Sequence, residues 1–155
     1  MRLLLIHCDY MEYEVKKRTG VAEDIDDASR TGRMEEALTV FTAVERDDEA
    51  DIAEVARRAL EDIEDVARKV NTSNIVLYPY AHLSSSLSSP ESAMHALRIM
   101  EEQLVSRGYN VMRAPFGWYK AFRLSCKGHP LSELSKRVEL EQHAKIVSIA
   151  PAGGA

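Results

Sequence analysis

Hydrophobic positions along this chain fall into two stripes at helical spacing and several shorter runs. The clearer stripe covers residues 51–70, where apolar side chains recur every three or four positions against a charged face. The second follows Ser89, a favourable helix N-cap, and Pro90, which is accepted at the first helical position; it ends at Arg107 and Gly108. These stripes predict two main helices.

The shorter apolar runs predict the strands of a β-sheet. Residues 75–80 are apolar on both faces, as in a central strand that helices cover, and Pro79 limits that strand at its last residues. Residues 16–31 are polar and poorly periodic, which indicates a loop. The remaining predicted strands are 1–8, 10–15, 38–44, 109–112, 118–124 and 146–149. This order predicts an α/β fold, with a mixed β-sheet and the two main helices packed on it.

A further short helix is predicted after Pro130. Leu131, Leu134 and Val138 recur at helical spacing, and Glu133 then falls in the first turn, where the helix dipole favours a negative charge. This position also offers a purely structural reason for the presence of Glu133.

The length of 155 residues and the hydrophobic content of 45% fit one domain. We expect this domain to cover residues 1–150, and residues 151–155 to begin a linker. The apolar runs are far shorter than the roughly 18 residues of a membrane span, and the first residues lack a signal-peptide pattern, so we expect a cytoplasmic protein. Cys8 and Cys126 are expected to be reduced thiols.

Charge is unevenly distributed around the formal net value of -5. Between residues 23 and 65, sixteen Asp and Glu accompany five Arg, whereas between residues 107 and 137 seven Lys and Arg accompany Glu133 alone. A polyanion can bind a locally basic surface on an acidic protein. A basic surface without any partner is equally compatible with these counts.

Candidate chemistry is concentrated in two places. Lys120 lies on a mostly apolar strand, where burial drives an ammonium towards neutrality unless a carboxylate or a ligand compensates it. His82 directly follows the strand 75–80, at the edge where open α/β sheets commonly present binding groups. A histidine that is hydrogen-bonded in a turn is the structural alternative.

Two other readings involve Cys126. It has C-x-x-H spacing with His129, and the adjacent His7 and Cys8 would have to complete a zinc site, although such sites normally show a second closely spaced ligand pair. A dyad of Cys126 and His82 would supply a nucleophile, but a cysteine in an apolar strand is more often inert. We therefore expect neither a metal nor another cofactor. The sequence also lacks a Gly-rich phosphate loop and a G-x-S-x-G elbow.

Four segments are distinctive in length and composition: MRLLLIHCDY (1–10), GRMEE (32–36), YPYAHLSS (78–85) and APFGWYKAFRLSCKGHPLSEL (114–134). They closely resemble the N-terminal editing domain of archaeal threonyl-tRNA synthetases, and the resemblance runs over essentially the whole chain. It implies a D-aminoacyl-tRNA deacylase-like fold. The implied activity is an aminoacyl-tRNA ester hydrolase that removes serine mischarged on threonine tRNA and spares threonyl-tRNA(Thr).

The same motifs imply the site residues by position. Lys120 would orient the substrate or a water molecule with Glu133 as its partner, and His82 and Tyr119 would position the aminoacyl group and the terminal adenosine. The pocket wall is implied to comprise Pro79, Ala81, Phe116 and, through its backbone, Val44.

The resemblance also implies partners and a mechanism. The partners are the serine-bearing 3' end of tRNA(Thr), the remaining synthetase domains beyond the linker, and a second copy of the chain in a homodimer. The nucleophile would be water, assisted by the 2'-hydroxyl of the terminal ribose. One alternative is a non-catalytic appendage that binds the tRNA acceptor end, with Trp118 or Tyr119 stacked on a base. Another is a D-aminoacyl-tRNA deacylase, although the chain lacks the signatures of the bacterial type.

Overall fold

The computed structural model describes residues 1–140, which contain six strands and two α-helices. The predicted strand 146–149, the predicted domain end at residue 150 and the predicted linker 151–155 lie outside the described residues. The strands are β1 (Arg2–Arg18), β2 (Thr31–Ala43), β3 (Asn74–Pro79), β4 (Asn110–Arg113), β5 (Trp118–Cys126) and β6 (Glu133–Arg137), and the helices are α1 (Ile52–Lys69) and α2 (Pro90–Ser106).

The long first strand, β1, organises a mixed sheet of order β4-β3-β2-β1-β5. One edge of β1 pairs with β2. Its other edge pairs first with β6, over Arg2–Ile6, and then with β5, from Cys8 to Arg18. The pairs that involve β1 are antiparallel, whereas β2, β3 and β4 run parallel to one another.

β1 corrects two sequence predictions. The predicted strands 1–8 and 10–15 form one strand, because Asp9 lies at a register shift in the pairing with β5 and the chain continues through it. A bulge of this kind accommodates one extra residue without ending the strand. The predicted loop 16–31 is shorter, since β1 extends to Arg18 and Asp27–Arg30 form a 3-10 turn.

The predicted helix after Pro130 is wrong, because these residues form β6. Leu5 lies opposite Leu134 in the antiparallel pairing of β1 with β6. Ser132, Leu134, Lys136 and Val138 are more buried than the residues that alternate with them, which is the two-residue alternation of a strand. Three apolar residues at helical spacing are too few to outweigh pairing with a buried strand.

Both main helices are confirmed, and Ser89 caps the second helix as predicted. The Asp51 side chain accepts a hydrogen bond from the Glu54 N–H at the start of α1. The Ser89 side chain does the same for the Ser92 N–H at the start of α2. Each cap satisfies a backbone donor that the first helical turn leaves without a partner.

Two hydrophobic clusters occupy opposite faces of the sheet. On one face, Leu38, Val40, Ile75 and Leu77 pack against α1 and α2. On the other face, Phe41, Val76 and Tyr78 alternate with those residues. The second half of β1 and the start of β5 pack over this other face with the side chains of Met11, Tyr13, Val15 and Trp118.

Candidate active site

Lys120 projects from β5 across to β3. Its backbone lies opposite Val15 of β1. Its ammonium donates hydrogen bonds to the carbonyl oxygens of Pro115 at 2.7 Å and Trp118 at 3.0 Å, and lies 5.0 Å from the centre of the Tyr78 ring. Because an ammonium has three N–H donors, these two bonds leave one donor for a ligand.

The Lys120 charge is desolvated without being neutralised by an acid. Burial lowers the pKa of Lys120 to about 8, and the negative charge of Glu23 opposes part of that shift. Within residues 1–140 no salt bridge involves Lys120, and Glu23 itself is paired with Arg113. An uncompensated cation in a partly dry site acts strongly on a ligand that develops negative charge.

The floor of the site is an aromatic cluster of four rings that includes the ring beneath Lys120. The ring centres lie between 5.1 and 6.4 Å apart. Sequence reasoning does not assign these rings to the site, because their proximity depends on the pairing of β2 with β3 and on the packing of β5 over them. The members of the aromatic cluster are Phe41, Tyr78, Tyr80 and Phe122.

His82 lies at the edge of the aromatic cluster. It occupies a 3-10 turn, Ala81–Leu83, directly after β3, and its side chain is exposed. The His82 and Tyr80 ring centres are 5.1 Å apart in an edge-to-face arrangement. Tyr80 contacts the Tyr78 ring, and Lys120 lies over that same ring. The aromatic cluster therefore connects the two leading candidate site residues, His82 and Lys120.

The loop after His82 is fixed to the end of β2. The Ser84 hydroxyl donates to the Glu45 carboxylate at 2.6 Å, and the Ser88 N–H donates to the Val44 carbonyl at 3.0 Å. The Val44 side chain is buried in the hydrophobic cluster between the sheet and the two helices. The backbone of Val44 therefore holds the loop that carries His82.

The other predicted pocket residues have different environments. Pro79 is half-buried at the last position of β3, and Ala81 is exposed. The half-buried Phe116 packs against the cluster beneath the helices, and its N–H donates to the Glu23 carboxylate at 2.7 Å. Tyr119 is 64% exposed, so its ring is available to a partner.

Within residues 1–140, Glu133 makes no described contact with Lys120, the residue that the sequence-based interpretation gives it as a partner. It is exposed on β6, opposite Ile6, and its carboxylate lies 3.5 Å from the Cys126 thiol. The acid whose field reaches Lys120 is Glu23. Glu23 lies more than 90 residues away in sequence, so local motifs do not indicate it.

The thiol and metal alternatives find no matching geometry in residues 1–140. Cys126 contacts the Ser132 hydroxyl at 3.6 Å and Glu133, and its described contacts do not include His82. His7 Nδ1 lies 2.7 Å from His129 Nε2. No group of three or more His, Cys, Asp and Glu side chains in this part of the chain is arranged to hold a metal ion.

The basic segment 107–137 is less positive than its composition predicts. Arg107 pairs with Glu64, and Lys127 pairs with Asp9 and Glu36. Arg113 pairs with Glu23 and Glu101. Acids from other elements thus neutralise these cations, whereas the charge of Lys120 is left unpaired within the described chain.

A cavity of about 530 Å³ opens beside the aromatic cluster. It lies between β1, the start of β2 and β5, and Phe122 belongs to both its lining and the cluster. Because Lys120 does not line this cavity, the charge and contacts of Lys120 define the site, and cavity size does not.

Neither helix described in residues 1–140 is long and apolar enough to cross a membrane.

The fold and this site define a mixed α/β domain with a six-stranded sheet, two helices and a half-buried lysine. A solved structure titled c-Myc DNA Unwinding Element Binding Protein matches 90% of this chain and 100% of its own, with a TM-score of 0.62. The sequence identity is 11%, so this likeness shows the fold alone.

Sequence comparison then gives the family. The chain belongs to the archaea-specific editing domain of threonyl-tRNA synthetase, whose family model matches residues 1–138. It is similar to threonine-tRNA ligases of Methanococcoides burtonii, 62% identical over 91% of the chain, and Methanosarcina mazei, 61% identical over 94%. The ligase of Methanocaldococcus jannaschii is 53% identical over 94%. The chain spans 22%, 23% and 23% of these relatives' lengths, respectively.

Proposed function

We propose that this chain proofreads threonine tRNA by hydrolysing the ester of seryl-tRNA(Thr) and sparing threonyl-tRNA(Thr). Membership of the editing-domain family supports proofreading. The observation that carries the chemistry is the Lys120 ammonium, which is desolvated, held by two carbonyl oxygens and free of any described salt bridge. A hydrolytic site for an ester needs such a group where negative charge develops.

The site that attaches threonine to tRNA can discriminate against serine only to a limited degree, which explains the need for this activity. Serine lacks one methyl group of threonine, and a missing methyl group is worth only about 1 to 3 kcal/mol of discrimination. A site built for threonine therefore accepts serine at a low rate. A second site must then remove the smaller amino acid from the tRNA.

In the proposed reaction, a water oxygen bonds to the ester carbonyl carbon and the bond from that carbon to the ribose oxygen breaks. The ribose oxygen takes a proton, and serine leaves as the free acid. The remaining N–H of Lys120 would stabilise the oxyanion that forms on the carbonyl oxygen. At pH 7 a pKa of about 8 leaves Lys120 mostly charged, as this role requires.

The other site residues are proposed to position the substrate. His82 and the exposed Tyr119 would hold the aminoacyl group and the terminal adenosine. Pro79, Ala81, Phe116 and Val44 would form the pocket wall, and Glu133 would contribute a carboxylate from β6.

We further propose that the 2'-hydroxyl of the terminal ribose holds the attacking water. His82 is exposed, and no carboxylate among its described contacts orients it as a general base. Positioning by the substrate would then supply part of the rate. The proposed partners are the 3' end of tRNA(Thr), the other domains of a threonine-tRNA ligase and a second copy of the chain.

The test is a deacylation assay on seryl-tRNA(Thr) and threonyl-tRNA(Thr), with wild type, Lys120→Met and the exposed-lysine control Lys69→Met. We expect wild type and the control to hydrolyse only the seryl ester, and Lys120→Met to be at least 100-fold slower. Binding of tRNA without hydrolysis by wild type would instead indicate a non-catalytic appendage. A D-aminoacyl-tRNA is assayed in parallel, and hydrolysis of that ester only would indicate a D-aminoacyl-tRNA deacylase.

A further inference from the structure

The segment between β1 and β2 is bonded to the turn that precedes Lys120, residues 114–117. The Glu23 N–H donates to the Phe116 carbonyl at 3.0 Å, and the Trp118 indole N–H donates to the Glu23 carbonyl at 2.9 Å. The Thr19 hydroxyl donates to the Gly117 carbonyl at 2.6 Å. These contacts join parts of the chain that are about one hundred residues apart.

The Glu23 carboxylate is central to these contacts. Its Oε1 accepts from the Phe116 N–H at 2.7 Å and from Arg113 at 2.6 Å. Its side chain is 13% exposed, and that of Arg113 is 15% exposed. Arg113 also donates to Glu101 at 2.9 Å, so Glu101 is a second acid on the same guanidinium that makes no described contact with the turn.

The turn that Glu23 fixes supplies one of the two carbonyl oxygens that hold Lys120, and the residue directly after the turn supplies the other. Pro115 precedes Phe116, and Trp118 follows Gly117, so the acceptors of the Lys120 ammonium flank the residues that Glu23 and Thr19 bind. Movement of the turn would therefore move the ammonium. Desolvation lowers the pKa of Lys120, and the negative charge of Glu23 opposes this effect by raising the same pKa.

We propose that Glu23 is a positioning residue for the Lys120 ammonium, acting through its bond to the Phe116 N–H and through its negative charge. This inference rests on the proposed function for its effect on catalysis, whereas its effect on Lys120 itself is independent of that function. Among residues 1–140, the ionisable side chain whose described contacts include Lys120 is Tyr78. Burial raises the pKa of Tyr78, chiefly by desolvation, so its hydroxyl stays neutral while Lys120 titrates.

The experiment compares wild type, Glu23→Gln and the matched control Glu101→Gln. The glutamine at position 23 keeps an oxygen for the Phe116 N–H but removes the charge, whereas the control removes the other acid on Arg113. Titration of the Lys120 side chain is followed by NMR of the lysine Cε, with its signal assigned by Lys120→Met. We expect a midpoint lower by about half a pH unit or more in Glu23→Gln, and an unchanged midpoint in the control.

Glu23→Asp then separates charge from position, because it keeps the charge but is one methylene shorter. We expect its Lys120 midpoint to stay near that of wild type while deacylation of seryl-tRNA(Thr) slows about tenfold or more. Equal midpoints in wild type and Glu23→Gln, or an equal shift in Glu101→Gln, would overturn the proposal. If wild type fails to deacylate seryl-tRNA(Thr), the proposed function fails, and the NMR titration still decides the role of Glu23.

Discussion

Replacing Lys120 by Met should change how the stability of the domain depends on pH. The folded-state pKa of Lys120 is about 8, below its ordinary value of 10.5. Between these values the unfolded chain holds a proton at this position that the folded chain has lost. The free energy of unfolding of wild type therefore rises with pH across this window, relative to a variant that cannot titrate there.

The size of the effect follows from the shift. A full shift of the Lys120 pKa from 10.5 to about 8 raises the free energy of unfolding of wild type, relative to the variant, by about 2 kcal/mol between pH 7 and 9.5. Partial hydration of Lys120 reduces this difference to about 1 to 2 kcal/mol. At pH 7 the variant also loses the two bonds to Pro115 and Trp118, at about 1 kcal/mol each. This loss offsets most of the gain from removing a buried charge, so we expect similar stability near neutrality.

Thermal unfolding at pH 7, 8.5 and 9.5 measures this difference, with Lys69→Met as the control. For a domain of this size we expect the Tm of wild type to rise relative to Lys120→Met by roughly 2 to 8 °C over this range, and the control to stay parallel to wild type. Parallel curves for wild type and Lys120→Met would refute the argument that Lys120 is desolvated in the folded state.

Three more predictions concern the mechanism and the turn. Cys126→Ser should keep substantial deacylation activity, and EDTA should have no effect; activity restored by zinc after EDTA would contradict this. Seryl-tRNA(Thr) ending in 2'-deoxyadenosine should bind normally but react orders of magnitude more slowly at saturating enzyme, and an equal rate would exclude substrate assistance. Gly117→Ala should destabilise the domain by more than Gly128→Ala in denaturant titrations, because both have φ of 78° but only the new Cβ at 117 would lie 2.6 Å from the Val21 oxygen. Equal losses would contradict that packing.

Elements with local signals can be predicted from the sequence. The apolar stripes and caps of α1 and α2 lie within single segments, and the structure confirms both helices. β6 is mistaken for a helix because its partner is the start of β1, more than 120 residues earlier. Asp9 divides β1 into two predicted strands because a bulge and a break look alike in one sequence.

In the candidate site, too, residues with local sequence signals can be predicted and residues that depend on long-range contacts cannot. Resemblance indicates Lys120 and His82, and a lysine on an apolar strand is chemically conspicuous in the sequence alone. The aromatic floor and Glu23 depend on contacts between distant segments, such as Phe41 beside Tyr78 and Glu23 beside Phe116. No spacing rule within one segment reports such contacts, so sequence reasoning does not bring Glu23 to Lys120.

The pairing of β1 also has a consequence for the order of folding. β2 is the next strand after β1 in the sequence and pairs with one edge of it. The other edge of β1 pairs with β5 and β6, and β6 ends only at residue 137. During synthesis the first strand must therefore persist with one open edge until nearly the whole domain has left the ribosome. Such long-range pairing slows folding and exposes an edge to wrong partners. The Lys120 site, which lies on β5, likewise depends on a segment that is synthesised after most of the domain.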